Sequence, residues 1–249
     1  MKKLTSALIS IFFIIVFWDI FVLSAFASTI HTGFETDILT SSEEEEILSN
    51  FEINKITEEG DKKAIECFDV NEKGNIAVGS SDFLKRIIKI YSEDGAFQYG
   101  FEFETAGKFG LEWDNDNILI YNVRGNIVIS VDSKGDVVAV EKIADTINNQ
   151  LYWKNTVYAT KRTNNNKTYE IRNDMGPLNI FSFNYSQLLI TDQNGDAKII
   201  YDVNSSQIIK YIIIILIIIS FLVFVVIPTV YKLYKKGMEQ HNVYDFHLR

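Results

Sequence analysis

From Ile212 to Ile227 every position except Ser220 is apolar, and Tyr211 and Tyr231 close the run at its two ends. As a helix rising ~1.5 Å per residue, the stretch between the tyrosines spans ~30 Å, the thickness of a bilayer core. The pattern predicts a transmembrane helix over 208–231. Its apolar side chains favour insertion by roughly 5 to 9 kcal/mol as an upper bound, and one serine does not reverse that. A buried helix of a soluble core would show an amphipathic stripe instead. No ionisable residue interrupts the run, so nothing in it predicts transport or a proton path.

A second apolar run, Ala7 to Trp18, follows Lys2 and Lys3 and ends at Asp19. Ala25 and Ala27 then offer small residues to a signal peptidase, so 1–27 reads as a signal peptide. The alternative is an uncleaved anchor helix, with Asp19 near mid-membrane at a cost of ~2.5 to 3.5 kcal/mol. Either way the basic flanks orient the chain. Lys2 and Lys3 precede the first run and Lys232, Lys235 and Lys236 follow the second, whereas no Lys or Arg lies between Asp19 and Lys55. Both ends therefore read as cytoplasmic and the intervening region as extracytoplasmic. Tyr211, Tyr231, Lys232, Lys235 and Lys236 are the expected membrane-interface anchors, and 232–249 the cytoplasmic tail. Pro228 falls in the last turn of the span, where interfacial water can meet its broken hydrogen bonding.

Residues 28–50 are polar and include four consecutive glutamates, Glu43 to Glu46. They read as an acidic linker, or as a short helix capped through Ser41 or Ser42 and a glutamate three residues on. From Phe51 the pattern becomes short strands punctuated by turns. In Phe97-Gln-Tyr99-Gly-Phe101-Glu-Phe103-Glu104 the alternation predicts a half-buried strand with four aromatics on one face. Ile118 to Val123 and Ile127 to Val131 are apolar on both faces, as strands covered on both sides should be. Turns are expected at Asn71–Gly74, Ser92–Gly95, Asp114–Asn117, Arg124–Asn126, Asp132–Gly135 and Asp192–Gly195.

A repeat organises these strands. Strands around Cys67 to Gly79, Ile88 to Gly95 and Phe97 to Glu104 make a four-strand unit. It returns as Leu111 to Asp114, Ile118 to Val123, Ile127 to Asp132 and Val137 to Ile143, with Gly95 and Gly135 in equivalent places. Four strands every ~40 to 50 residues is a propeller-blade period. A looser third unit is expected over Leu151 to Phe183, with strands near Thr156 to Lys161 and Thr168 to Asn173, and a last hairpin over Gln187 to Val203. Phe68-Asp69 before Gly74-Asn75-Ile76-Ala77-Val78, and Tyr91-Ser-Glu-Asp-Gly95 after it, resemble NHL-type β-propeller repeats. The resemblance covers 65–143 and consists of turn chemistry. It implies a propeller-like meander with a binding or scaffolding role and carries over no catalytic residue. Three to four units fit here, fewer than such propellers usually close with, so a small ring, an open arc and completion by a second chain all stay open.

Charge and candidate chemistry narrow the function. Between Ser28 and Gln207 stand 17 Lys and Arg against 30 Asp and Glu, an acidic surplus that argues against a nucleic-acid partner. Cys67 is the single cysteine, so no intramolecular disulfide forms, and in its strand it reads as a core residue. The histidines, His31, His241 and His247, lie outside the strand-rich region, which leaves no Ser-His-Asp triad or multi-histidine zinc site to expect there. Asp69–Gly74 and Asp192–Asp196 begin like calcium loops but lack ligands at required places, and read as hairpins. Asn166, Asn184 and Asn204 open glycosylation-type triplets that read as chance in so Asn-rich a chain.

The expectation is mostly β: a propeller-like antiparallel meander of three to four blade-like units over 51–207, an N-terminal signal or anchor helix and a C-terminal transmembrane helix. No catalytic, cofactor or metal residue is expected. The function to expect is recognition, scaffolding or sensing in the cell envelope, with the bilayer and an unidentified protein as partners and self-association left open. Two other classes remain: a hydrolase acting on envelope polymers through Glu112, Asp114 and Asp116, and an accessory subunit of a membrane complex.

Overall fold

The computed structural model describes residues 30–246. The signal or anchor segment expected over 1–27 lies outside the described residues. In chain order the elements are β1 (Thr36–Asp37), α1 (Ser41–Ser49), β2 (Ile53–Ile56), β3 (Ile65–Val70), β4 (Ile76–Asp82), β5 (Lys85–Tyr91) and β6 (Phe97–Glu104). Next come β7 (Phe109–Asp114), β8 (Asn117–Asn122), β9 (Ile127–Val131), β10 (Val137–Ile143) and α2 (Ile147–Tyr152), which runs into a π-helical turn, Trp153–Val157. After these follow β11 (Lys161–Asn164), β12 (Lys167–Arg172), a 3-10 turn (Gly176–Phe181), β13 (Gln187–Thr191), β14 (Ala197–Asp202) and α3 (Asn204–Phe221). A second π-helical turn, Leu222–Val226, joins α3 to α4 (Ile227–Phe246).

The strands form three antiparallel sheets, ordered β2-β6-β5-β4-β3, β1-β10-β9-β8-β7 and β11-β12-β13-β14. Each is built on a four-strand meander. The same hairpin joins its third and fourth strands: the N–H of Ser92, Asp132 or Asp192 donates to the carbonyl four residues on, and Gly95, Gly135 or Gly195 donates back to that first residue. These glycines have φ of 91°, 100° and 88°, which an L side chain rarely adopts. Gly195 is therefore the counterpart of Gly95 and Gly135. The spacing hides this because α2 and the 3-10 turn are inserted around the third sheet. The expected third unit and last hairpin are in fact one sheet, and much of the stretch expected to begin the unit is helical.

Three apolar layers hold the sheets. The first sheet packs one face on the second through Ile88, Phe101, Leu111 and Ile120, and the other face on the third through Phe68, Tyr91, Tyr169 and Tyr201. Gly79 permits the close approach of the first pair, since a Cβ there would lie 2.6 Å from Cys67 Sγ and 2.9 Å from the Phe109 ring. The face of the second sheet turned away from the first is covered by Ile30 and Phe34 and by Tyr152 and Trp153. On the third sheet Lys161, Thr163, Glu170 and Arg172 point outward and are polar or charged. These sheets form no closed propeller, for a physical reason. Among the described residues one terminal face is covered, and the other, mostly polar and charged around Leu189 and Ile199, has no further sheet packed on it.

Three expectations are corrected. Phe97 does not share a face with Tyr99, Phe101 and Phe103. A bulge between Ile90 and Tyr91 sets Phe97 opposite Tyr91, rings 5.9 Å apart, in the core shared with the third sheet. Residues 30–37, expected within a linker, pack onto the second sheet, and β1 extends it by pairing with β10. The helix after them is capped by Thr40, whose hydroxyl and Glu43 close a capping box, rather than by Ser41 or Ser42.

Asn204–Lys236 is long and apolar enough to cross a membrane, and its apolar window buries nothing within the protein. It starts one residue after β14, with Val203 buried between them. Pro228 lacks an N–H and would clash with the carbonyl of Phe224 in a regular helix. The π-helical turn at 222–226 relieves this, and Thr229 donates its hydroxyl to the Val225 carbonyl at 2.6 Å.

Candidate functional site

The first strand of each meander, β3, β7 and β11, lies at the inner edge of its sheet, and the hairpins that follow these strands meet at one end of the domain. Asn164 donates its side-chain amide to the Asn71 carbonyl at 2.6 Å, Asn165 does the same to Glu72 at 3.0 Å, and Lys73 pairs with Asp116 at 2.5 Å. Here a crevice of about 300 Å³ opens between Asp69, Asn71, Glu72, Lys73, Trp113 and Asp116. It lies at the far end of β3 from Lys63 and Ala64, which line a cleft beside α3. The crevice therefore faces away from the apolar helix.

Asp69 forms its floor. One carboxylate oxygen accepts the Trp113 N–H at 2.8 Å and the other lies 3.2 Å from Arg162 Nε. Burial pushes the Asp69 carboxyl up, against Arg162 and the Trp113 N–H, which favour the ionised form. The pair is close without being aligned as a hydrogen bond, and Arg162 Nη2 and the indole N–H of Trp113 are buried without a hydrogen-bond partner. The Arg162 guanidinium lies 5.9 Å from the Phe68 ring centre.

The acids proposed for hydrolysis are not gathered into one pocket. Glu112 turns inward, where the Tyr121 hydroxyl donates at 2.5 Å and the Tyr152 hydroxyl at 3.0 Å, and Thr32 meets Tyr121 at 2.8 Å. Burial pushes the Glu112 carboxyl up, against the Tyr121 hydrogen bond. Burial and the Glu112 charge likewise raise Tyr121 and Tyr152. Asp114 accepts the His31 backbone N–H at 3.0 Å and lies 3.4 Å from its imidazole Nδ1. Asp116 is exposed in its hairpin with Lys73. Glu112 and Asp114 thus fasten the N-terminal segment to the second sheet, through Tyr152, Tyr121 and His31.

The remaining candidates have structural roles. Cys67 is 1% exposed, and burial raises its thiol, so it is a core residue. Asp132 and Asp192 use a side-chain oxygen to accept N–H groups of their own turns, as Asn71 does. Glu102 pairs with Lys85 at 3.0 Å on the solvated face of β6. Tyr211, Tyr231, Lys232, Lys235 and Lys236 are strung along the apolar helix and its continuation.

Arg162, Tyr152 and His31 escaped sequence reasoning because each acts on a residue far away in the chain. One signal was available: in Leu111-Glu-Trp-Asp114 the acids alternate with apolar residues in a strand whose neighbours are apolar on both faces, which marks them as buried and paired. Compared with known proteins, the chain matches no family model, and no curated protein matches it significantly.

Proposed function

We propose that this chain is a membrane-anchored recognition, scaffolding or sensing module, with its three-sheet domain held on the extracytoplasmic side and its blade-like meanders akin to NHL-type repeats. One observation carries the reading: the inner-strand hairpins of the first two sheets line a polar crevice at the end of the domain opposite the apolar helix, and the third sheet's hairpin braces it through Asn164 and Asn165. Its lining holds Asp69, Glu72 and Asp116 against Lys73. Such a surface suits a peptide or protein loop that brings basic and amide groups. The basic flank at Lys232, Lys235 and Lys236 supports the orientation.

Two measurements test this. Protease added to intact cells is expected to degrade residues 30–203 and spare the tail after Lys232; a digested tail with a protected domain would reverse the topology. A photo-crosslinking side chain at Asn115, on the crevice rim, is expected to capture a discrete partner that the same group at Thr163, on the outer face of the third sheet, does not. Equal or absent capture at the two positions would remove the crevice as the recognition surface.

A further inference from the structure

Large apolar side chains stand exposed where the domain meets α3. Phe83 and Phe183 are 97% and 99% exposed, and both line a cleft of about 960 Å³ together with Lys210 and Tyr211 at the start of the apolar run. Beside them Leu84 is 66% exposed and, on the 3-10 turn that touches α3, Ile180 is 82% exposed. Phe83 also sits at φ 61°, at the tip of the β4–β5 hairpin. Turn chemistry alone favours Asn or Gly there, because a bulky side chain is strained in that region. The ring serves no core of this domain. Charge does not explain the patch either, since Lys62, Lys63 and Lys210 in the lining are balanced by Asp61, Asp82 and Asp202.

We infer that Phe83, Leu84, Ile180 and Phe183 form an apolar rim that inserts into the interfacial layer of the same bilayer that α3 crosses, so that the domain rests on the membrane at three points. The inference builds on the membrane-anchored reading, and the bilayer is its occupant because Tyr211, the interface anchor, shares the cleft with both phenylalanines. Aromatic and aliphatic groups at that depth exchange water for the headgroup and acyl boundary. With zero net charge in the cleft, insertion depends on apolar area rather than on anionic lipid. A helix alone would let the domain swivel about the Val203 junction. A rim on the β4–β5 hairpin and the 3-10 turn fixes its tilt and holds the distal crevice away from the lipid.

The test uses the full chain in phosphatidylcholine vesicles, with nitroxide labels on Phe83→Cys, Phe183→Cys, Asn115→Cys and Phe224→Cys in turn; Cys67 is buried and stays unlabelled. Accessibility to oxygen relative to a water-soluble nickel chelate is expected to shift at Phe83 and Phe183 from the Asn115 value toward the mid-membrane Phe224 value. Aqueous values at Phe83 and Phe183, with Phe224 in the bilayer, would overturn the rim and leave the anchor standing. An aqueous Phe224 would overturn both. Spin–spin broadening at Phe83 that disappears on dilution with unlabelled protein would assign the rim to a second copy and overturn its insertion. In the Phe83→Ser/Phe183→Ser double variant the Asn115 label is expected to gain rotational mobility; unchanged mobility would also count against the rim.

Discussion

Arg162 on β11 and Asp69 on β3 meet at 3.2 Å with side chains 15% and 16% exposed, and this ion pair ties the third sheet to the first beside the point where the Trp113 N–H ties the second. One carboxylate thus touches all three sheets. Removing its charge leaves the guanidinium buried without a counter-ion, a change that costs about 3 kcal/mol in comparable settings.

Asp69→Asn is therefore expected to lower the unfolding midpoint of the detergent-solubilised protein by roughly 6 to 12 °C for a domain of this size. Adding Arg162→Met should recover part of the loss, because the stranded charge goes with it. Thermal circular dichroism of the two variants checks this. A double variant no better than the single one would mean that the pair contributes only through the Trp113 hydrogen bond.

Glu112 makes stability depend on pH. Its carboxyl is raised above 4.5 in the folded state, so the folded protein holds a proton that the unfolded chain has released. The stabilising contribution of the protonated form is full below about 4.5 and is lost as pH rises through the raised folded value. Glu112→Gln cannot titrate there and keeps an acceptor for Tyr121. It is expected to flatten the decline of the melting midpoint from weakly acid toward neutral pH, measured across a buffer series. An unchanged slope would show that other acids carry it.

Phe34 anchors the N-terminal segment, with ring centres 4.6 Å from Tyr152, 4.8 Å from Trp153 and 5.0 Å from Tyr121. Truncating a buried phenylalanine costs about 3 to 5 kcal/mol. Phe34→Ala is expected to free residues 30–37 from the second sheet before the sheets themselves unfold. Limited proteolysis should then cut near Glu35 while the remainder of the domain stays intact. Simultaneous loss of the whole domain would show that the cover folds cooperatively with all three sheets.

The four meander strands of each of the first two sheets were legible because their alternation and their Asn, Asp and Gly turns are local signals, whereas β1 and β2, which join by pairing with distant strands, were not. Ile127–Val131 and Val137–Ile143 begin and end as expected to within a residue. The candidate site was less legible. Glu112 and Asp114 stand out in the pattern, but their partners, Tyr152 and His31, are brought up by packing. The third sheet was only partly read, since the insertions around it break the interval that makes Gly95 and Gly135 recognisable.

The sequence by itself determined the meander strands of the first two sheets, the apolar helix from Tyr211 to Tyr231 and the acidic character between the two apolar runs. These depend on residue type, spacing of one or two positions and continuous apolar length. Only the tertiary structure decided that the three sheets make no closed propeller, that residues 30–37 cover the outer face of the second, and that Asp69, Trp113 and Arg162 meet. Those outcomes depend on which faces remain apolar once each sheet has formed, and on side chains separated by up to ~90 positions that only the packed core brings within hydrogen-bond distance.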